Sequence, residues 1–386
     1  MSKVRLLYGS TIPGHQFLSP DLYWKTRFNA YDPFFLVEFP DGDTVMLASM
    51  LEFERAKKEA KNCRAELVTQ YMDDGRTTSL DAVAALLQRF CPAPEGIVVP
   101  ASMPAYVFNG LLDAGFSVEV AEYDAPWYPG RAIKSEEEIA WIEEVQRKTE
   151  AVLWKVVRIL RDSKILPGDG ILVDEHGSVL TAERVRDFME LELSREGCLA
   201  DSTVVACGDQ AVDPHAIGSG PLRANLPIVI DVYPRSRSTW YWADMTRTFF
   251  KGKPTAEAER LYWTVLSAQC LAIQLIYAGI DGSKIQRAVE GFFKTNGYET
   301  GEKDGVIQGF THSVGHGVGL ELHEHGVPNI STTPSELKEG CVVTVEPGLY
   351  YLGIGGARIE DLVVVTKDGC RNLTSFPKDL EHMIIP

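Results

Sequence analysis

What most limits the folds open to this chain is a set of five short pieces between Asp231 and Glu360. They read Ile-Val-Ile-Asp231-Val-Tyr, Trp-Ala-Asp244-Met-Thr-Arg-Thr-Phe, Val-Gly-His316-Gly-Val-Gly, Val-Thr-Val-Glu346-Pro-Gly and Ala-Arg-Ile-Glu360-Asp-Leu. Each sets one metal-capable side chain in or beside an apolar, β-branched run of the kind that forms a strand with a buried face. An ionised carboxylate in such a place is costly unless a cation or a full set of hydrogen bonds compensates it. One such residue is explained by a strand-end ion pair or a turn cap. Four carboxylates and an imidazole call for a shared partner.

Spacing allows them to meet. Asp231 and Asp244 flank the polar, turn-like Pro234-Arg-Ser-Arg-Ser-Thr239, which predicts neighbouring strands of a hairpin. Glu346 and Glu360 flank Pro347-Gly and Gly353-Ile-Gly-Gly356 and repeat the arrangement: a carboxylate at a strand end, a glycine turn, a carboxylate on the return. Five of the eight histidines lie between His215 and His325. His316 is flanked by glycines that allow close backbone approach, with His312 and His323 on either side and His215 after a loop ending Val212-Asp-Pro. His15, His176, His325 and His382 are read as ordinary polar side chains.

Charge narrows the partner. Two divalent cations balance four carboxylates, and a bridging hydroxide leaves the cluster near neutral, whereas carboxylates alone repel one another and take up protons. Two ions about 3.5–4 Å apart polarise a carbonyl and bring a bridging water toward a pKa of about 7. Four carboxylates and one imidazole form a hard, oxygen-rich donor set, which favours Mn2+, with Co2+, Fe2+ or Zn2+ as alternatives.

The rest of the chain sets the frame. At 386 residues it is long enough for two domains. A net charge of -16 argues against nucleic acid and anionic membrane surfaces as partners. No apolar run reaches a membrane span, and Met-Ser-Lys-Val-Arg-Leu-Leu-Tyr lacks a signal-peptide core, so a cytoplasmic location is expected. Seven cysteines without Cys-x-x-Cys spacing suit free thiols in a reducing compartment.

Residues 1–130 read as a smaller α/β domain. It has a 34–39/44–48 hairpin, helices near 51–62, 79–88 and 103–114, and strands near 65–68, 96–100 and 117–121. The 79–88 helix is expected to take Ser79 as its cap. No phosphate-cradling glycine loop is present. The proline- and aromatic-rich Asp124-Ala-Pro-Trp-Tyr-Pro-Gly-Arg131 marks the boundary. In residues 131–386, Ser135 and the acidic turn after it start a long helix to about Leu160. Helices are expected at 181–195, 255–278 and 283–295, with strands at 202–206, 228–230, 246–250, 342–345 and 361–366, giving an α+β domain with a mostly antiparallel sheet.

The ordered set Asp231, Asp244, His316, Glu346, Glu360 resembles the metal signature of the pita-bread metallopeptidases. Asp244-Met-Thr-Arg-Thr, Gly315-His-Gly-Val-Gly-Leu, Leu322-His-Glu, Glu346-Pro-Gly and Arg358-Ile-Glu-Asp are similar to that group's motifs. The domain ahead of them and the Ile133-Lys-Ser-Glu-Glu-Glu-Ile helix start resemble the aminopeptidase P, prolidase and creatinase branch. The resemblance implies a creatinase/prolidase-type N-terminal domain, a pita-bread catalytic domain and dinuclear hydrolysis of the bond before proline, by an aminopeptidase or a dipeptidase. It implies that Asp231 chelates one ion, that Asp244 and Glu360 bridge both, and that His316 and Glu346 complete the second.

In the same way Glu346 resembles the proton shuttle, and His323 and His215 the imidazoles that hold the scissile carbonyl and the residue after it. Arg358 resembles an arginine beside the bridging glutamate or in contact with substrate, and His312 a group around the substrate. A shallow apolar pocket for proline is expected to draw on Trp240 in the Trp240-Tyr-Trp242 hairpin tip, whose aromatics would otherwise serve the core or a dimer contact. The implied partner is a small peptide with proline at its second position, and the family's habit implies a homodimer. The same fold also serves two other classes: a creatinase-like or lyase enzyme acting on a small non-peptide, and a non-catalytic binding member. Creatinase does without this ligand set, and a binding module has no need of it.

Overall fold

A computed structural model describes residues 3–72, 78–91, 96–123 and 126–386. Two residues of the expected boundary segment, Asp124 and Ala125, lie outside the described residues, as do Met1 and Ser2. The chain divides into two compact units, Met1–Pro129 and Gly130–Pro386.

The first unit is built on a six-stranded mixed sheet. Phe34–Glu38 and Thr44–Ala48 form the expected hairpin, closed by Phe39 N–H to Asp43 O (2.8 Å). Val4–Gly9 runs antiparallel to Phe34–Glu38 and parallel to Ile97–Val99, and so lies inside the sheet. Arg64–Leu67 and Val118–Val120 close its two edges.

Strand periodicity sorts the core. Val4, Leu6, Phe35, Val37, Val45 and Leu47 pack with Val83, Leu86 and Leu87 of helix Ser79–Phe90. Their alternates Leu7, Phe34, Leu36, Met46 and Ala48 pack with Leu22 and Ala56 from helices Pro20–Thr26 and Phe53–Glu59. Two details differ from expectation. Thr78, not Ser79, caps its helix, in a reciprocal box with Asp81. The helix expected over 51–62 spans only Phe53–Glu59, because Ala60 turns extended and Lys61 N–H goes to Thr26 O (2.7 Å).

In the second unit, Ser135 and Glu138 form a capping box at the head of helix Glu136–Asp162. That helix buries Ile139, Ile142, Val145, Val152, Val156 and Leu160 along one stripe. Helices Ala182–Arg195, Ala256–Leu275 and Gly282–Thr295 follow. Strands Val204–Cys207, Pro227–Val232 and Met245–Lys251 pair antiparallel. Val342–Val345 pairs antiparallel with Asp361–Thr366, and between them Gly348–Tyr351 and Gly355–Arg358 form a hairpin. No helix is long and apolar enough to cross a membrane among the described residues.

Candidate metal centre

Backbone pairing aligns the carboxylates before any side chain is considered. Asp231 stands opposite Thr246 in the ladder between Pro227–Val232 and Met245–Lys251, with Asp244 one residue before the second strand. The residues joining them form no plain hairpin, since Arg235–Ser236 leaves to pair with Cys198–Leu199. On the other side of Thr246, Glu360 N–H donates to its carbonyl (3.1 Å). Glu346 follows Val345, which faces Asp361, so the strand pair that ends at Glu346 begins its return at Glu360. His316 is laid beside Thr344 by Thr344 N–H to His316 O (2.9 Å) and His316 N–H to Thr344 Oγ1 (3.0 Å). Glycine is required for that approach. A Cβ on Gly315 would lie 2.0 Å from Thr344 O, and one on Gly317 2.4 Å from Val327 Cγ1.

The side chains converge. His316 Nε2 lies 3.3 Å from Glu346 Oε1 and 3.5 Å from Asp244 Oδ2. Ligand-capable atoms of Asp244, His316 and Glu360 all fall within 4.8 Å of one another. Thr246 Oγ1 donates to Glu360 Oε2 (2.7 Å) and Thr344 Oγ1 to Glu346 Oε1 (3.1 Å). Asp231 and Asp244 each keep one buried oxygen, Oδ1, with no hydrogen-bond partner among the described residues. Such orphans cost free energy where they stand.

The charges are in conflict without a counter-ion. Burial, then repulsion from Asp231 and Glu346, holds the Asp244 carboxyl well above the usual range. Glu360 is raised well above its ordinary value by burial and by Asp244, Glu346 and Asp231. Burial pushes Glu346 up to about 8, with Arg358 opposing and Asp231 adding to the rise. Burial depresses His316 to about 3, so its imidazole is neutral. With Nδ1–H directed to Gly317 O (3.3 Å), Nε2 offers a lone pair toward the acids. Orphaned oxygens, crowded acids and a neutral imidazole fit a divalent cation site.

These groups line an open pocket of about 600 Å³. Of the ten site residues expected from sequence, nine line it: Asp231, Asp244, His316, Glu346, Glu360, His215, His312, His323 and Arg358. Trp240 does not. It sits in a tight turn at φ 62°, its N–H bonded to Ser236 O (3.1 Å), and the pocket's apolar wall comes instead from Val204, Pro214, Ile217 and Leu322. A left-handed residue in a turn is a feature that the run Trp-Tyr-Trp does not disclose.

Arg358 directs its donors inward to Asp231 Oδ2 (2.7 Å), Tyr350 Oη (2.8 Å) and Thr246 Oγ1 (3.2 Å). Both His312 ring nitrogens are engaged, Nδ1 with Ser313 O (2.8 Å) and Nε2 with Tyr350 Oη (2.7 Å), and burial lowers its pKa to about 3. His323 stacks edge-on to His316 with ring centroids 4.1 Å apart, its pKa lowered by burial and by His215.

Sequence reasoning passed over Thr246, Thr344 and Tyr350, which orient the acids and Arg358. The two threonines sit inside Met-Thr-Arg-Thr and Val-Thr-Val, each two residues from an acid, where a hydroxyl on the same strand face could have been suspected. Tyr350 looked like one more strand aromatic.

Residues 140–367, more than half the chain, match the sequence model of metallopeptidase family M24. The chain belongs to that family. It is 31% identical over 346 residues to an uncharacterized peptidase of Staphylococcus aureus (strain bovine RF122), covering 88% of this chain and 86% of that one. In fold, this M24 metallopeptidase is similar to the Xaa-Pro dipeptidase from Bacillus anthracis (TM-score 0.79, 22% identity, 98% of this chain and 94% of that chain). It is equally similar to the X-Pro aminopeptidase from Thermotoga maritima MSB8 (TM-score 0.79, 23% identity, 98% and 96%). The pita-bread architecture with a smaller α/β unit ahead of it, expected from the motifs, is therefore the fold of this M24 enzyme.

Proposed function

We propose that this M24 metallopeptidase hydrolyses the peptide bond before proline with two divalent ions, and that residues 131–386 form its catalytic domain. The observation that carries the reading is the pocket in which Asp231, Asp244, His316, Glu346 and Glu360 converge, two of them with unpartnered buried oxygens, beside His215, His323 and an apolar wall. Solved relatives of the same fold are named as Xaa-Pro dipeptidase and X-Pro aminopeptidase, which supports the proline reading and leaves both exopeptidase types in play.

In this reading Asp231, Asp244, His316, Glu346 and Glu360 hold the ions, and the hard donor set favours manganese. Bound ions supply an acidified water and polarise the scissile carbonyl. Glu346, ionised beside the bound cations, accepts a proton from the attacking water at its carboxylate oxygen and returns it to the leaving nitrogen. His323 and His215 donate ring N–H groups toward the carbonyl side of the substrate, where negative charge develops. Arg358 holds Asp231 by one oxygen so that the other faces the cavity. The apolar wall of Val204, Pro214, Ile217 and Leu322 receives a compact ring without hydrogen-bond demands.

The test is to give the manganese-loaded protein Gly-Pro, Ala-Pro and a longer Xaa-Pro peptide. Cleavage of the dipeptides alone identifies a dipeptidase, and cleavage of the longer peptide an aminopeptidase. Release of amino acid from neither, with turnover of a small non-peptide amide instead, would overturn the assignment.

A further inference from the structure

His215 is carried on a loop whose shape is not its own making. Asp213 forms its turn, accepting His215 N–H at Oδ1 (2.9 Å) and Ala216 N–H at its carbonyl (3.1 Å). The base of the loop is gripped from behind by helix Ala182–Arg195. Arg186 donates Nε–H to Thr203 O (2.9 Å) and Nη2–H to both Ile217 O and Gly218 O (2.7 Å each). Three residues earlier on that helix, the Glu183 carboxylate accepts Gly220 N–H (3.0 Å). Gln210 adds two bonds across the base, Nε2–H to Ser219 O and Oε1 from Ser219 N–H (2.9 and 2.8 Å). Gly218, at φ 77°, lies so close to Val205 that a Cβ would be 1.9 Å from its carbonyl.

We infer that Arg186 is a positioning residue for His215, tying the end of the segment that bears it to the neighbouring wall segment at Thr203. The inference rests on the role given to His215 above. Arg186 does not line the pocket, whereas Ser202, Val204, Pro214, His215 and Ile217 do. The three carbonyls it bonds belong to the two wall segments 202–204 and 214–217 or border them. A planar guanidinium spans all three at once, and a lysine ammonium on a flexible stem does not match that fork. Ile217 O also receives Val205 N–H (3.0 Å), so losing Arg186 loosens the wall rather than unfolding it. A shift of order 1 Å in a group that binds the transition state is enough to cost turnover.

The test is a double-mutant cycle on the manganese-loaded full chain, read with whichever of Ala-Pro and Ala-Pro-Ala the wild-type protein cleaves. Arg186→Met is expected to lower kcat/KM about tenfold in the wild-type background, less than about twofold in His215→Ala, and about tenfold again in His323→Ala. Bound manganese stays at the wild-type level, and Arg186→Lys restores only part of the loss. Hydrogen exchange of amides 213–219 speeds up in Arg186→Met while helix 136–162 is unchanged. Equal losses in all three backgrounds, or unchanged exchange at 213–219, would overturn the clamp. If His215→Ala alone leaves turnover intact, the role of His215 is wrong and the catalytic coupling of Arg186 falls with it; the exchange experiment still reports separately on whether the loop is held.

Discussion

Arg358 Nη2 stands 2.7 Å from Asp231 Oδ2, while Asp231 Oδ1 remains buried and unpartnered among the described residues. One oxygen of the acid is fixed by protein and the other is kept for something the protein does not provide. The same guanidinium reaches Tyr350 and Thr246, and Thr246 in turn holds Glu360. A single cation thus sets the angle of an acid on each of two strand systems.

Replacing Arg358 by methionine should therefore weaken metal binding or turnover by about 10–100-fold, the usual cost of losing a partner that orients a ligand. Metal titration of the purified variant alongside its kcat checks this. Wild-type affinity and rate in Arg358→Met would mean that Asp231 needs no such holder.

Asp244→Asn separates stability from metal binding. The wild-type carboxyl is raised by burial and by Asp231 and Glu346, so removing its charge eases the metal-free state. The metal-free variant should unfold no earlier than the metal-free parent. What it should lose is the stabilisation by added manganese, about 2.7 kcal/mol at a concentration a hundredfold above Kd for a single site. Thermal unfolding with and without a chelator gives both quantities. Retention of the manganese-dependent rise, or of activity, in Asp244→Asn would remove this residue from the centre.

Much of this was legible because the relevant signals are local. Strand-like runs interrupted by acids located Asp231, Asp244, Glu346 and Glu360, and glycines flanking His316 reported a close backbone approach. The strand Val4–Gly9 was not recognised although it sits inside its sheet, because Val-Arg-Leu-Leu-Tyr is short and lacks alternation. Tyr350 and Arg186 were invisible for another reason. Each acts through atoms brought from distant parts of the chain, and only register tells which residues face them. Trp240, expected beside the proline, is not among the residues that line the pocket.

Arg247 presents the reverse situation, a charge with every donor accounted for. It is fully buried and gives hydrogen bonds to the carbonyls of Thr246, Glu360, Phe376 and Pro377 and to Asp361 Oδ1 (2.8 Å). Lys378 and Asn372 engage the other Asp361 oxygen. Arg247→Met should cost about 3–5 kcal/mol, since it removes one of the two charge partners of a buried carboxylate and leaves its Oδ1 unpartnered, and Arg247→Met with Asp361→Leu should recover part of that. Denaturant unfolding of the three proteins measures it. Equal stability of the single and double variants would show that the pair is not the source of the loss.

Glu324 supplies the pH dependence. It is buried beside Lys134 and Arg131, which bond its carboxylate, and Leu320 N–H adds a third donor (3.2 Å). Burial alone would raise its pKa, but the Lys134 and Arg131 charges outweigh it and hold the carboxyl below the ordinary 4.5. A folded value below the unfolded one means the stabilisation is complete above the unfolded pKa and is lost as pH falls through the folded value. Glu324→Gln should therefore be less stable than wild type by about 3–5 kcal/mol at neutral pH, as expected for breaking a buried ion pair. That gap should narrow as pH falls from the ordinary glutamate pKa through the lower folded value, because the unfolded chain takes up the proton first and the folded carboxylate only below its own pKa, while the variant has no such proton to bind. Urea unfolding at roughly pH 7, 5, 4 and 3, which spans the glutamate range, follows the gap directly. A difference that stays constant down to the most acidic point would assign the stabilisation to packing rather than to the ion pairs with Lys134 and Arg131.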